Sequence, residues 1–295
     1  MHAELILDAR NATGESPVWS APEQALYWVD IPAKRLQRWS ALDHSLQSWE
    51  AGEMLACIAR QRDGSWIAGM QSGLFHLNAN SDGSLVSTQL SGVEHALPGM
   101  RFNDGRCDRQ GRFWVGSMLM DMAAGSAVGA MYRYQAGQNE PLTARLSGFI
   151  VPNGLAFSPD GTTLYLSDSH PSVQAIWAFD YDIDSGIPYN RRLFVDMQGY
   201  PGRPDGAAVD AEGCYWICGN DAGLIHRFTP AGKLDHSLAV PVKKPTMCAF
   251  GGRNLDTLYV TSIRPADDLS DQPLAGGVFA LTPGVGGLEE PYFAS

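Results

Sequence analysis

One pattern recurs along this chain and constrains its fold more than any other feature. It is a short strand, a turn of Asp, Gly, Pro or Asn, a second strand rich in Trp or Tyr, and then a loop. The clearest copy runs Gly154-Leu155-Ala156-Phe157-Ser158, turns at Pro159-Asp160-Gly161, and continues Thr163-Leu164-Tyr165-Leu166-Ser167-Asp168. Turn chemistry and β-branched or aromatic content make that a β-hairpin. Five further copies carry Trp28, Trp66, Trp114, Trp216 and Tyr259 where this one carries Tyr165, and the successive spacings are 38, 48, 51, 51 and 43 residues. Those are lengths of a four-stranded propeller blade. A third strand is predicted after each hairpin, at 35–39, 73–77, 130–134, 175–181, 224–228 and 278–281. The apolar Leu5-Ile6-Leu7 is then a spare strand, and pairing it into the last blade closes the ring and removes the open edge. The expectation is an all-β, six-bladed β-propeller of four-stranded blades, one domain over residues 1–295. Composition agrees: 32 Gly, 18 Pro and only 18% charged residues suit many turns between short strands better than a helical bundle.

Several function classes fall away on charge and patterning. The formal charge is -11 and no Lys/Arg run exceeds a pair, which argues against a nucleic-acid partner. No stretch approaches the roughly 18 apolar residues of a membrane helix. The start, MHAELILDAR, has neither the basic region nor the apolar run of a signal peptide. Five cysteines, Cys57, Cys107, Cys214, Cys218 and Cys248, are odd in number and sparse, as expected of reduced thiols in a cytoplasm.

What occupies equivalent positions of the repeat is more informative than the fold, which hosts scaffolds and enzymes alike. Between 11 and 13 residues before the aromatic anchor, just ahead of the innermost strand, four repeats carry a polar group: Glu15, Asn103, Asn153 and Asp205. Repeats two and six carry Leu55-Ala56 and Met247-Cys248 there. Equivalent positions of a radial repeat lie at one end of the ring, so the four side chains are expected to converge at one mouth of the central channel. Two carboxylates brought together in a partly buried mouth repel unless a cation sits between them. Oxygen-only donors suit a hard divalent ion, Ca²⁺, Mg²⁺ or Mn²⁺, with Zn²⁺ also compatible. Asn and Asp before Gly also suit plain turns, which leaves a second explanation for Asn103-Asp104-Gly105, Asn153-Gly154 and Asp205-Gly206. Loops returning to the same end contribute Asp30, Asp121, His170 and Asp221, and Arg101 lies two residues before Asn103.

Several motifs together resemble the gluconolactonase/regucalcin (senescence marker protein) family. They are Gly14-Glu15-Ser16-Pro17-Val18-Trp19, Arg101-Phe102-Asn103-Asp104-Gly105, the segment from Gly111 to Met118, the run Pro152 to Gly161, Pro204-Asp205-Gly206 and Phe250-Gly251-Gly252, in one order from about residue 14 to Gly277. The resemblance implies a divalent cation held by Glu15, Asn153 and Asp205, three positions already reached by their place in the repeat. It implies substrate contacts at Arg101 and Asn103. The family's acidic substrate contact, commonly glutamate, falls on Asp121, one methylene shorter. The implied activity is metal-dependent hydrolysis of a sugar lactone. Asp205 is the expected base, since a carboxylate bound to the ion through one oxygen keeps the other for a proton.

Other chemistry fits less well. Asp180, Asp182 and Asp184 imitate an EF-hand start, yet position six is Ser185 and position twelve Arg191. No G-x-S-x-G elbow, Walker loop, Rossmann fingerprint or H-E-x-x-H is present. Two alternatives share the architecture: a phosphotriesterase-like or arylesterase-like propeller hydrolase, and a non-catalytic calcium-binding propeller of the regucalcin type. Choice among lactones, gluconolactone or a sulfonated gluconolactone among them, is expected to lie in loops 121–129, 169–174 and 198–203.

Overall fold

The computed structural model describes residues 3–138, 141–266 and 269–294. Its strands form six antiparallel sheets of four, five of them built in chain order from the centre outward and the sixth completed by the N-terminal strand. Blade 1 holds β2 (Gly14–Ser20), β3 (Ala25–Asp30), β4 (Arg35–Ser40) and β5 (Leu46–Glu50), and blade 2 holds β6 (Leu55–Arg60), β7 (Trp66–Met70), β8 (Gly73–Ala79) and β9 (Leu85–Gly92). Blade 3 is β10 (Met100–Cys107), β11 (Phe113–Leu119), β12 (Gly129–Tyr134) and β13 (Ala144–Phe149). Blade 4 is β14 (Pro152–Phe157), β15 (Thr163–Asp168), β16 (Ala175–Asp182) and β17 (Ile187–Asp196). Blade 5 is β18 (Arg203–Val209), β19 (Tyr215–Asn220), β20 (Leu224–Phe228) and β21 (Leu234–Ala239). Blade 6 combines β22 (Pro245–Gly251), β23 (Thr257–Ser262) and β24 (Val278–Leu281) with β1 (Glu4–Leu7), which pairs onto β24 and closes the ring. The six-bladed propeller, its third strands and its N-terminal closure are thus as the repeat predicts.

The aromatic anchors explain why the repeat carries them. Trp28, Trp66, Trp114 and Trp216 are fully buried, and rings meet between neighbouring blades: Tyr27 on Trp66 (4.6 Å between centroids), Trp114 on Tyr181 (6.0 Å), Tyr165 on Tyr215 (5.1 Å), Trp216 on Phe250 (6.1 Å) and Trp19 on Tyr259 (5.1 Å). Flat twisted sheets expose two faces each, and large rings fill the wedge between them, each worth about 3 to 5 kcal/mol on truncation to Ala. Outer strands such as β9 and β17 are mostly exposed. The five cysteines are buried and free. Asp182 ends its strand and caps a turn through the amides of Asp184 and Ser185, so the EF-hand imitation is a strand end.

The structure corrects one placement. Glu15, Asn103, Asn153 and Asp205 lie not ahead of the innermost strands but inside β2, β10, β14 and β18, and none belongs to a hairpin turn. The cause is a β-bulge in every innermost strand. The pairing register slips by one residue between Glu15 and Val18, Leu55 and Cys57, Phe102 and Gly105, Asn153 and Ala156, Pro204 and Ala207, and Pro245 and Cys248. A bulge opposes two residues to one, so the strand bends and re-aims its side chains. The Asn/Asp-Gly pairs serve that bend rather than a loop.

Two residues following the polar positions take left-handed backbone, Gly154 (φ 59°) and Ser16 (φ 50°). Ser16 is fixed there by its Oγ, which accepts the Ile58 amide of the next blade (3.0 Å). Gly154 has no room for a side chain: an added Cβ would fall 2.5 Å from Tyr215 Oη and 2.7 Å from Ser167 Oγ. Gly154→Ala therefore combines backbone strain with overpacking, and should lower unfolding free energy by at least about 2 kcal/mol. Urea midpoints check this, and an unchanged midpoint would contradict the tight inner ring.

Candidate functional site

Because the bulges fall at one height in all six blades, the polar side chains they carry meet across the channel. Asp205 is the centre of the arrangement. Its Oδ1 accepts from Asn153 Nδ2 (2.6 Å) and its Oδ2 from Asn220 Nδ2 (2.6 Å). Asn153 Nδ2 also donates to Ser169 Oγ (3.0 Å), which leaves its carbonyl oxygen with the Gly154 amide alone (3.3 Å). On the neighbouring blade, Asn103 donates to the Pro152 carbonyl (3.1 Å) and accepts from Arg101 Nη1 (2.8 Å). Arg101 Nη1 also binds the Phe102 carbonyl (2.7 Å), and the remaining N–H groups of its guanidinium have no acceptor among the described residues. Among the described residues, Glu15 accepts only from the Ser16 amide (3.1 Å) through Oε2.

The electrostatics of this mouth are unbalanced. Burial is the largest cause pushing the Asp205 carboxyl up to about 7, and Asp104 adds to it, against the hydrogen bonds from Asn220 and Asn153 and the charge of Arg203. Glu15 is raised well above the usual carboxylate range, by burial first and then by Asp205 and Asp104, with Arg101 opposing. Asp104 is raised by burial too, and although Oδ2 accepts the Leu155 amide (2.8 Å), its Oδ1 is buried without a hydrogen-bond partner among the described residues. Three carboxylates, Asp104 and Asp205 buried and Glu15 half-buried, thus crowd one space that contains Arg101, while Arg106 lies deeper.

Arg106 reaches across to the Ala207 carbonyl (2.7 Å) and pairs with Glu290 (3.5 Å). Glu290 belongs to a C-terminal segment that crosses the far mouth of the channel and anchors there by Phe293, buried and stacked on Tyr134 (5.9 Å). The polar residues therefore sit in a recess with a floor.

The loop residues divide. Asp30 is taken up by the amides of Ala12 and Thr13, and Asp168 plays the same part for Ile150 and Val151, so both clamp incoming backbone. His170 Nε2 lies 3.1 Å from the Met122 carbonyl and ties its loop to the short 3-10 turn Met122–Ala124. Asp121 precedes that turn, exposed, with no side-chain hydrogen bond to Arg101 or Asn103 among the described residues. Asp221 binds Arg203 and Lys244 at the rim. Asn220, Ser169 and Arg203 are partners of the site that the repeat did not single out. Asn220 had a signal: in the pairing register it occupies the strand-end position of Asp30 and Asp168, and this blade alone of the three substitutes an amide for the acid.

The donor chemistry fits a divalent cation. Glu15, Asn153 and Asp205 offer oxygens only, each with lone pairs left over, in a buried place whose negative charge lacks full compensation. In metal-free protein, a carboxyl raised in the fold favours the folded state below its unfolded pKa, near 4, and loses that contribution as pH rises through about 7. The stability of wild type minus that of Asp205→Asn should therefore fall between about pH 4 and 7 in chelator, with the fall at pH 7 reversed by a divalent ion. Urea titrations across that range check this; a flat difference would contradict the raised carboxyl.

Comparison with known proteins bears on the whole chain. A family model described as SMP-30/gluconolactonase/LRE-like region matches residues 13–264. A 6-deoxy-6-sulfogluconolactonase of Pseudomonas putida is 40% identical over 286 residues, covering 95% of this chain and 94% of the relative. Regucalcin of Danio rerio is 32% identical over 285 residues, covering 95% and 93%. Among solved structures, a calcium-binding protein, regucalcin, from Agrobacterium tumefaciens superposes with a TM-score of 0.91 at 28% identity, covering 100% of this chain and 98% of that one. Motifs, fold and full-length similarity coincide, and the chain belongs to the SMP-30/gluconolactonase family.

Proposed function

We propose that this protein hydrolyses the ring ester of a sugar lactone to the open aldonic acid, with a divalent ion at Glu15, Asn153 and Asp205. The observation that carries this is the convergence of a two-amide-bound carboxylate, Asp205, with Glu15 and with the Arg101–Asn103 pair in one floored recess. The names of the Pseudomonas putida relative and of the family model support a lactone, and the calcium-binding regucalcin of Agrobacterium tumefaciens supports an ion.

A bound ion would supply Lewis acidity to the lactone carbonyl and compensate the charge that grows on its oxygen. The chain's own residues do the rest. Asp205 takes the proton of the attacking water as a C–O bond forms at the carbonyl carbon. That proton then goes to the ring oxygen, whose bond to the carbonyl carbon breaks, so the products are one carboxylic acid and one freed hydroxyl. Asn153 and Asn220 hold both Asp205 oxygens in place, one hydrogen bond each. Arg101, fixed on Asn103, turns its unused N–H groups to hydroxyl or carbonyl oxygens of the sugar, and Asp121 at the rim accepts one hydroxyl.

The test is acidification of fresh aldonolactone solutions followed with a pH indicator, corrected for spontaneous hydrolysis. Asp205→Asn should lower kcat by about 10² or more, chelation should abolish turnover, and Arg101→Met should act mainly on KM. Full rates in chelator, or in Asp205→Asn, would overturn the mechanism. A metal site without any lactone turnover would instead establish a non-catalytic calcium-binding propeller, and faster turnover of organophosphates would establish a phosphotriesterase.

A further inference from the structure

Beside the recess, on the rim between blades 5 and 6, two cations converge on one carboxylate. Arg203 Nε bonds Asp221 Oδ2 (2.6 Å), and Lys244 Nζ bonds Asp221 Oδ1. Arg203 opens β18 two residues before Asp205, and Lys244 immediately precedes β22, so both stand at the mouth that carries the site. Arg203 is also joined to it: Nη2 donates to Asn220 Oδ1 (3.3 Å), and Asn220 Nδ2 donates to Asp205 Oδ2 (2.6 Å). Those two bonds and one amide group place the guanidinium within roughly 8 Å of the Asp205 carboxylate. That is comparable with the span of a hexonolactone from its carbonyl to a charged group on C6.

Three of the five guanidinium N–H groups are used, on Asp221, Asn220 and the Ser169 carbonyl, and two have no acceptor among the described residues. The Arg203 side chain is 21% exposed and that of Lys244 30%. Asp221 holds its place on a left-handed backbone (φ 78°), a conformation that L residues rarely adopt, and its side chain is 43% exposed. The three groups carry one net positive charge in a protein whose total is -11. A cationic spot at the mouth of such a chain gives an anion a specific landing place, because the rest of the surface repels it.

We propose that Arg203 and Lys244 form a subsite for a tetrahedral oxyanion, a sulfonate or a phosphate, on the C6 end of the lactone, and that Asp221 occupies the subsite until such a substrate displaces it. This rests on the lactone hydrolysis proposed above and adds the substrate class. Arg203 acts in addition as a positioning residue for Asn220, whereas Lys244 and Asp221 touch only the subsite.

The experiment compares kcat/KM for glucono-1,5-lactone with that for its 6-sulfo and 6-phospho counterparts, with folding of every variant checked by thermal melting. Wild type should favour at least one anionic lactone by about tenfold or more, a preference that shrinks with added salt. Lys244→Met should cut the anionic-to-neutral ratio at least fivefold, and Asp221→Asn should raise it, since it frees both cations. Lys243→Met, whose partner is Asp271 further out, should leave the ratio alone. Opposite signs for Lys244→Met and Asp221→Asn are the signature of a subsite; a merely structural ion pair moves both variants the same way and would overturn it. Turnover of the neutral lactone without preference for either anionic one overturns this inference alone. Turnover of none of the three overturns the hydrolase reading and the subsite with it.

Discussion

The structure depends on a one-residue bulge repeated in all six innermost strands. A regular strand would send alternate side chains into its two neighbouring interfaces, which are filled mainly by apolar groups. The bulge breaks that alternation at one height and frees a residue for the channel. Bent backbone leaves groups to be satisfied, and the ring does so between blades. Thr246 Oγ1 binds the Gly14 carbonyl, Ser16 Oγ accepts the Ile58 amide, Asp104 accepts the Leu155 amide, and Tyr215 Oη donates to the Gly154 carbonyl. The same bonds that hold the bulges hold the site.

Rigidity of that kind permits an arrangement that would otherwise collapse. Asp104 and Asp205 are buried with Glu15 half-buried beside them, and each is driven toward its protonated form by loss of solvent before any other cause. Amide donors from Asn153 and Asn220 only partly offset this at Asp205. A site strained in this way stores affinity for a cation, because a divalent ion relieves desolvation and repulsion at once. The outer structure contributes by containment: aromatic wedges fix the blades, and the C-terminal segment with Glu290 and Phe293 closes the far mouth.

Much of this was legible in the sequence because a repeat is a measurement made six times. The aromatic anchors gave the blade length, the third strands followed, and Leu5-Ile6-Leu7 found its partner in β24. Shared position also brought Glu15, Asn103, Asn153 and Asp205 to one place, although it set them ahead of their strands. A bulge has no strong composition of its own when the residue in it is Ser16 or Ala56 rather than Gly, so periodicity alone began the strands too late. Asn220 was not singled out, and Ser169 and Arg203 were placed only in loops expected to choose the lactone, for a different reason. Asn220 reaches Asp205, Ser169 reaches Asn153 and Arg203 reaches Asn220 between the first and second strands of one blade, across 15, 16 and 17 positions of chain that the linear pattern does not link. Asp30 looked like a site acid and proved to be a backbone clamp of the kind Asp168 also forms, since a carboxylate at a strand end serves whichever amides arrive first.

The central claim is that the bulged inner strands deliver an oxygen cage for one divalent ion at the mouth of the channel. Anomalous diffraction from crystals soaked in Mn²⁺ tests it most directly. The claim predicts one strong peak bounded by side-chain oxygens of Glu15, Asn153 and Asp205, lost in Glu15→Gln crystals prepared alike. A recess without a peak, or a peak held by other residues, would contradict it.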